Sequence, residues 1–204
     1  MQLGPMLKQL REFADLHIIE GSLVCDANNK QAVAVREYFG DKHILLEYAK
    51  PTEDERGWRT YEGLEAAMGF VERKLAALPG GGADVLFGFS QGSNLITCLC
   101  ARAERGAPGA PPPFRAAVLL SPSRPGWAAQ LPELFASPLA TPTLMGFSDT
   151  DEVIGDGPLE VAKLWSPQCL RSCKHVGPGH RPLPSRDPAF VTGVAEFIAK
   201  FCPQ

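Results

Sequence analysis

Ser90 lies between two glycines in the stretch FGFSQGS, which runs from Phe87 to Ser93. The residues before it, ADVLFGF, predict a buried strand, and the residues after it predict a helix. A serine in a tight strand-to-helix turn stands clear of the sheet, and Gly88 and Gly92 leave space for that turn. The pattern therefore predicts a nucleophilic serine, and the alternative is that Ser90 only caps the helix.

A nucleophilic serine needs a base, and the base needs an orienting carboxylate. Asp149 and Asp151 follow the predicted strand TPTLMGF, and His180 follows the predicted strand CLRSCKH and a Gly-Pro-Gly loop. The order Ser, Asp, His is the order found in α/β hydrolases. We therefore expect a catalytic triad, with either aspartate as the acid. The alternatives are a solvated turn for the aspartates and a surface loop for His180.

Three other histidines compete for the role of base. His175 lies inside or at the very end of a predicted strand, His17 lies in a predicted strand, and His43 lies in a segment of uncertain structure. A loop past the carboxyl end of a strand presents a side chain to the site better than the strand itself does. We therefore predict His180 as the base and assign structural roles to the others.

The elements that must position these residues alternate along the chain. Apolar strands alternating with helices predict an α/β fold, with a mainly parallel sheet covered by helices on both faces. The length of 204 residues predicts a single domain over residues 1–204. The last helix is expected to start with Asp187 as its cap and Pro188 in its first turn. The predicted helices cover residues 4–15, 61–78, 94–106, 157–165 and 187–201, and the predicted strands cover 16–24, 83–89, 115–121, 141–147 and 169–175.

Composition and charge exclude several functional classes. The chain is 45% hydrophobic and 21% charged, and its formal net charge is -3 without any block of like charges. This pattern favours neither a nucleic-acid partner nor a membrane surface. The longest apolar run is too short to span a bilayer, and the N-terminus lacks the core of a signal peptide. We therefore expect a cytoplasmic protein.

The six cysteines are expected to be reduced thiols, because no secretory signal is recognised. Cys98 and Cys100 lie in an apolar helix and are predicted to be small core residues. An alternative function is a zinc site formed by soft ligands in the stretch CLRSCKHVGPGH. The spacing C-x3-C-x-H-x4-H is not a usual zinc-finger pattern, so we expect no metal and no cofactor. The four residues of that alternative are Cys169, Cys173, His175 and His180.

The chain from about Arg56 to its C-terminus resembles the FSH family of serine hydrolases, which includes fungal esterases. The stretch LFGFSQG is similar to the family's elbow, and DTDEVI and GPGH are similar to its acid turn and its Gly-Gly-His motif. The resemblance implies an α/β-hydrolase fold, with Ser90 as nucleophile and His180 as base. The stretch DTDEVI matches without a gap and places the acid two residues before Val153, which selects Asp151. The backbone amide of Gln91 is expected to be one oxyanion donor.

The start of the chain departs from that family. Family members usually begin with an apolar strand whose following loop supplies a second oxyanion amide. Here GPMLKQL resembles the helix that follows that loop, and only residues 1–3 precede it. We therefore expect the first strand and the second oxyanion donor to be absent.

The resemblance implies hydrolysis of a carboxylic ester or an acyl thioester through an acyl-enzyme. The expected substrates are alkyl or aryl esters, or acyl chains on a carrier protein. The segment from Asn28 to Gly57 is expected to form part of the acyl pocket, and the alternative is a plain surface insertion. A second hypothesis, favoured by the missing strand, is a catalytically impaired hydrolase-like protein that binds a ligand or partner.

Overall fold

The computed structural model describes residues 4–26, 33, 44–177, 179–182 and 187–202. From residue 64 onward helices and parallel strands alternate, as the sequence predicts. In chain order the elements are α1 (Gly4–Leu10), β1 (Leu23–Val24), β2 (Leu46–Glu47), β3 (Lys50–Glu53), β4 (Arg59–Glu62), α2 (Leu64–Ala76), β5 (Val85–Phe89), α3 (Gln91–Glu104), β6 (Ala116–Leu120), α4 (Gly126–Ala129), β7 (Thr143–Phe147), α5 (Gly157–Ala162), β8 (Leu170–Lys174) and α6 (Pro188–Ala199).

Strands β5 to β8 form one parallel sheet in which sequential strands are neighbours, in the order β5-β6-β7-β8. The register pairs Phe89 with Leu120 and Leu120 with Gly146, so the carboxyl ends of β5, β6 and β7 lie side by side. The predicted parallel sheet is confirmed. Residues that directly follow these strands therefore meet at one edge of the sheet, which is where ligands bind in α/β folds.

The sheet is covered on both faces. All five residues of β6 and of β7 are buried. Alternate residues of β6 face opposite sides: Ala117 and Leu119 pack in the cluster that contains α2 and α3, whereas Val118 packs with α1 and α6. This two-sided burial explains why these strands are apolar throughout. The predicted arrangement of helices on both faces is confirmed.

Local signals in the helices agree with the structure. The stripe of Leu64, Met68, Val71 and Leu75 buries one face of α2. Asp187 caps α6, because its Oδ1 accepts a hydrogen bond of 2.9 Å from the amide of Phe190. None of the helices in the described residues combines the length and apolar character needed to cross a membrane.

Cys98 and Cys100 are fully buried in α3, which confirms them as core residues. Burial raises the pKa of both thiols, so neither is a reactive thiolate at neutral pH.

The region before α2 differs from the prediction. Of the predicted strand 16–24 only Leu23–Val24 is a strand, and it pairs antiparallel with β2. Strand β4 includes Tyr61, which was predicted to begin a helix, and pairs antiparallel with β3. These strands are two to four residues long and partly exposed, so they lack the apolar run that identifies the central strands.

Two smaller expectations also change. Helix α1 ends at Leu10, whereas the sequence predicted a helix to residue 15. His17 is exposed and lies outside any strand, and His43 lies outside the described residues.

Candidate active site

Ser90 occupies a strained turn between β5 and α3. Its backbone has φ 55° and ψ -118°, a region that residues other than glycine rarely adopt. The amide of Ser90 donates to the carbonyl of Leu120 at 2.8 Å, and its carbonyl accepts from the amides of Ser93 and Asn94. The hydroxyl makes no capping hydrogen bond to α3, which argues against the helix-cap alternative. This geometry is typical of a nucleophile elbow.

The two glycines that flank the elbow contribute differently. A Cβ on Gly88 would lie 2.6 Å from the carbonyl carbon of Gly92 and 2.7 Å from Cδ1 of Ile96. A Cβ on Gly92 would meet no described atom within 4 Å. The close approach of strand and helix therefore requires Gly88. The expectation that Gly92 is also needed to leave space for the turn is wrong, because a Cβ there would contact none of the described residues.

Polar side chains hold the first turn of α3 in place. The Ser93 hydroxyl lies 2.8 Å from the carbonyl oxygen of Leu120 and accepts the Leu120 amide at 2.9 Å. Asn94 donates to the hydroxyls of Tyr61 at 2.8 Å and Ser123 at 2.7 Å. Both Ser93 and Asn94 are fully buried, where hydrogen bonds are costly to break. The turn that carries the serine is therefore fixed to the neighbouring strand and to β4.

Asp151 and His180 are in direct contact. His180 Nδ1 lies 2.8 Å from Asp151 Oδ2, and Asp151 Oδ1 accepts the amide of Val153 at 3.1 Å. The His180 ring packs on Phe89, the residue before Ser90, with ring centroids 4.5 Å apart. His180 Nε2 is buried and has no hydrogen-bond partner among the described residues. One imidazole nitrogen is thus held by a carboxylate, while the other remains free to accept a proton.

The carboxylate of Asp151 is stabilised in its charged form. Burial raises the pKa of Asp151. The hydrogen bond and charge of His180 and the hydrogen bond from the Val153 amide lower it by more, so the pKa lies below its ordinary value. The buried hydroxyl of Ser121 also lowers this pKa, although it does not reach standard hydrogen-bond geometry. Ser121 directly follows β6 and has φ 49°. Sequence reasoning missed it, although its position after a strand was a usable signal.

Side chains on the acid turn position the loop that carries the histidine. The hydroxyls of Ser148 and Thr150 lie 3.0 and 3.1 Å from the carbonyl oxygen of Gly177. On the other side, Asp187 Oδ2 accepts the amide of Val176 at 3.2 Å. The loop is therefore held between the end of β7 and the start of α6. Pro178, part of the predicted Gly-Pro-Gly loop, lies outside the described residues.

The competing candidates lie in other surroundings. Asp149 forms an exposed ion pair with Lys174 at 2.9 Å and points to solvent. His175 is 6% exposed and packs edge-on against Phe190, with centroids 5.0 Å apart. Burial lowers the pKa of His175, opposed by the charge of two neighbouring aspartates. A neutral imidazole packed in the core fits a structural residue better than a base.

The zinc alternative gains no support from the structure. Within the described ranges, no group of three or more His, Cys, Asp or Glu side chains is arranged to hold a metal ion. Of the proposed ligands, His180 is engaged by Asp151 and His175 packs on Phe190.

Gln91 connects the elbow to the segment before β3. Its Oε1 accepts the amide of Tyr48 at 2.8 Å, and its Nε2 donates to the carbonyl of Ala49 at 2.8 Å. Its backbone amide lies at the first position of α3, where the helix favours a developing negative charge. Tyr48 and Ala49, which belong to the predicted acyl-pocket segment, therefore lie beside the elbow. The role of Gln91 as an oxyanion donor stays a prediction.

Comparison with known proteins identifies the family. The family model described as serine hydrolase (FSH1) matches residues 1–183. The human esterase OVCA2 is 35% identical over 120 residues, which cover 51% of this chain and 52% of that protein. The mouse esterase OVCA2 is likewise 35% identical over 120 residues, or 51% of each protein. The chain thus spans about half the length of these curated relatives.

Solved structures share the fold. Acyl-protein thioesterase 2 of Zea mays has a TM-score of 0.57 at 20% identity, covering 79% of this chain and 76% of that one. The carboxylesterase of Bacillus cereus has a TM-score of 0.58 at 16% identity, covering 97% and 81%. At these identities the likeness establishes an α/β-hydrolase fold. Because the family model covers most of the sequence and the solved structures share its fold, the chain belongs to the FSH1 family of serine hydrolases.

Proposed function

We propose that this protein hydrolyses carboxylic esters or acyl thioesters, with Ser90 as nucleophile, His180 as base and Asp151 as acid. The observation that carries the proposal is the contact of 2.8 Å between the partly buried His180 and the buried Asp151, together with the packing of the His180 ring on Phe89, the residue before the strained serine. A carboxylate on Nδ1 fixes the tautomer in which Nε2 accepts a proton. The three side chains come from loops that follow β5, β7 and β8.

In the first half-reaction the Ser90 hydroxyl attacks the acyl carbonyl while His180 Nε2 takes its proton. Asp151 stabilises the imidazolium that forms, and it stays ionised because its pKa is lowered. The negative charge on the carbonyl oxygen develops at the N-terminus of α3, where the Gln91 amide is the proposed donor. His180 then returns the proton to the departing alcohol or thiol.

In the second half-reaction His180 removes a proton from water, which attacks the acyl-enzyme and releases the carboxylic acid. Ser90 is regenerated with the proton returned from His180. Every proton moves between Ser90, His180, the leaving group and water, while Asp151 stays ionised, so these steps need no cofactor.

The proposed substrates are small-molecule esters and acyl thioesters. The human relative is named an esterase, and a maize protein of the same fold is named an acyl-protein thioesterase. The same acyl-enzyme chemistry accepts either leaving group, so p-nitrophenyl acetate and an acyl thioester are suitable first substrates. An acyl carrier as partner belongs to the same proposal.

The test uses a fluorophosphonate probe, which labels an activated serine, together with hydrolysis of p-nitrophenyl acetate. Ser90→Ala is expected to abolish both signals without lowering the melting temperature. His180→Gln is expected to lose orders of magnitude in kcat, whereas the matched variant His175→Gln keeps the active site and turns over substrate. Labelling that persists in Ser90→Ala, or loss in His175→Gln alone, would refute the assignments.

One observation favours the second hypothesis, an impaired hydrolase-like binding protein. The start of the chain departs from the family, and the strand and loop that supply a second oxyanion amide in family members are expected to be absent. Removing one such donor costs about 10²–10³ in kcat. Folded wild-type protein that neither reacts with the probe nor hydrolyses either substrate would support this hypothesis instead.

A further inference from the structure

Two glutamines hold the strap, which we define as residues 48–62 and which contains β3 and β4. Gln91 holds its first end through the Tyr48 amide and the Ala49 carbonyl, both at 2.8 Å. Gln130 holds its far end in the same way, accepting the Tyr61 amide at 2.9 Å and donating to the Tyr61 carbonyl at 3.1 Å. Each side-chain amide satisfies one backbone donor and one backbone acceptor, as a neighbouring strand would.

The two ends of the strap differ in what else holds them. At the far end, Tyr61 also accepts a hydrogen bond from Asn94, and the Arg59 amide donates to a carbonyl of the chain leading into α4. At the first end, the Tyr48 hydroxyl donates to the carbonyl of Ile19 at 2.6 Å. Loss of Gln130 therefore leaves several bonds at the far end in place, whereas loss of Gln91 removes the bonds between the first end of the strap and the elbow and leaves, among the described residues, only the Asn94–Tyr61 bond between the strap and the first turn of α3.

The Gln91 bonds act on a strained part of the backbone. A residue such as Ser90 keeps a positive φ only when its surroundings fix it from several sides. Ser93 and Asn94 tie the first turn of α3 to the sheet and to β4, and Gln91 ties it to the start of the strap. Gln91 is also the residue whose backbone amide is the proposed oxyanion donor, and such donors work only when correctly aimed.

We propose that the Gln91 side chain is a positioning residue for acylation, because it ties the strap to the elbow and so holds the Gln91 amide in oxyanion geometry. This inference rests on the proposed ester hydrolysis. A donor that acts in the transition state changes kcat, whereas a residue needed only for packing changes stability. The kinetic constants therefore separate the two roles.

The test compares Gln91→Met, Gln91→Asn and the matched control Gln130→Met. The Met variants keep side-chain volume without the hydrogen bonds, and Asn keeps an amide that is one methylene too short. Both Gln91 variants are expected to lower kcat for p-nitrophenyl acetate and the rate of fluorophosphonate labelling roughly tenfold, with KM nearly unchanged. Gln130→Met is expected to stay within about twofold of wild type.

Hydrogen exchange supplies a readout that does not depend on activity. In Gln91→Met the Tyr48 amide is expected to exchange faster, and in Gln130→Met the Tyr61 amide instead. Equal kcat in Gln91→Met and Gln130→Met, or loss in Gln91→Asn alone, would overturn the positioning role and leave the proposed function intact. An inert, folded wild-type protein would refute the proposed function and this inference with it.

Discussion

Replacing Asp151 by asparagine tests the proposed triad most directly, because the shape of the side chain is conserved while its charge and one acceptor are lost. Asp151 makes two contacts of different kinds. Oδ1 accepts the Val153 amide, and Oδ2 contacts His180 Nδ1. An asparagine can present its oxygen to only one of these two groups.

Both orientations of the asparagine are unfavourable for catalysis. If the asparagine oxygen keeps the bond from the Val153 amide, its NH₂ group faces His180 Nδ1. The imidazole proton then lies on Nε2, and the ring cannot accept the proton of the Ser90 hydroxyl. If the asparagine oxygen faces His180, its NH₂ group faces the Val153 amide, so two donors point at each other. Leaving that amide without an acceptor costs about 1–3 kcal/mol of free energy. That free energy alone reduces the population of the imidazole tautomer with Nε2 unprotonated about 5- to 150-fold. Loss of the charge that stabilises the imidazolium brings the expected drop in kcat to about 10⁴.

The assay is steady-state hydrolysis of p-nitrophenyl acetate, with circular dichroism to establish that the variant is folded. Asp149→Asn is the matched control, because it makes the same chemical change two residues away. Asp149 contacts Lys174 in an exposed ion pair, and such pairs contribute little. We expect Asp149→Asn to stay within about twofold of wild type. Equal losses in the two variants, or a larger loss for Asp149→Asn, would refute the role of Asp151.

Two further predictions concern stability. Gly88→Ala is expected to cost about 1–3 kcal/mol or more, because its Cβ would overlap Gly92, whereas Gly92→Ala should unfold at or above the wild-type temperature. Equal melting temperatures would refute this reading of the elbow. Burial lowers the pKa of His175 in the folded state, so as the pH falls the unfolded chain takes up a proton on this histidine before the folded protein does. The free energy of unfolding should therefore fall as the pH drops below about 6.5. In urea titrations at pH 7.5 and 5.5 His175→Phe should weaken this dependence, and an unchanged dependence would contradict it.

Local patterns were sufficient to predict much of the central sheet. The strands at 85–89, 116–120 and 143–147 lie inside predicted strands, because uninterrupted apolar runs bounded by breaks are typical of strands buried on both faces. The cap at Asp187 was predictable for a similar reason, since a capping side chain bonds to an amide three residues away.

The region before α2 could not be predicted in this way. Strands β1 to β4 are short, partly exposed and paired antiparallel, and their polar residues do not alternate with an apolar face. Tyr61 illustrates the difficulty, because it continues the apolar spacing of α2 but lies in β4. Its hydroxyl accepts from Asn94 and its backbone is held by Gln130, and these partners are 33 and 69 residues away.

The sequence by itself determined the elbow around Ser90, because that pattern depends on residues close together in the chain. It also determined the order of the candidate triad residues and the family, because both follow from residue identities along the chain and need no distances in space. Only the tertiary structure decided that His180 contacts Asp151, that Asp149 faces solvent and that His175 is buried. It also revealed the two bonds from Gln91 to the strap. These contacts join residues 25 to 43 positions apart, or depend on which face of a turn is covered. Packing of the whole chain sets such distances, and no local spacing encodes them.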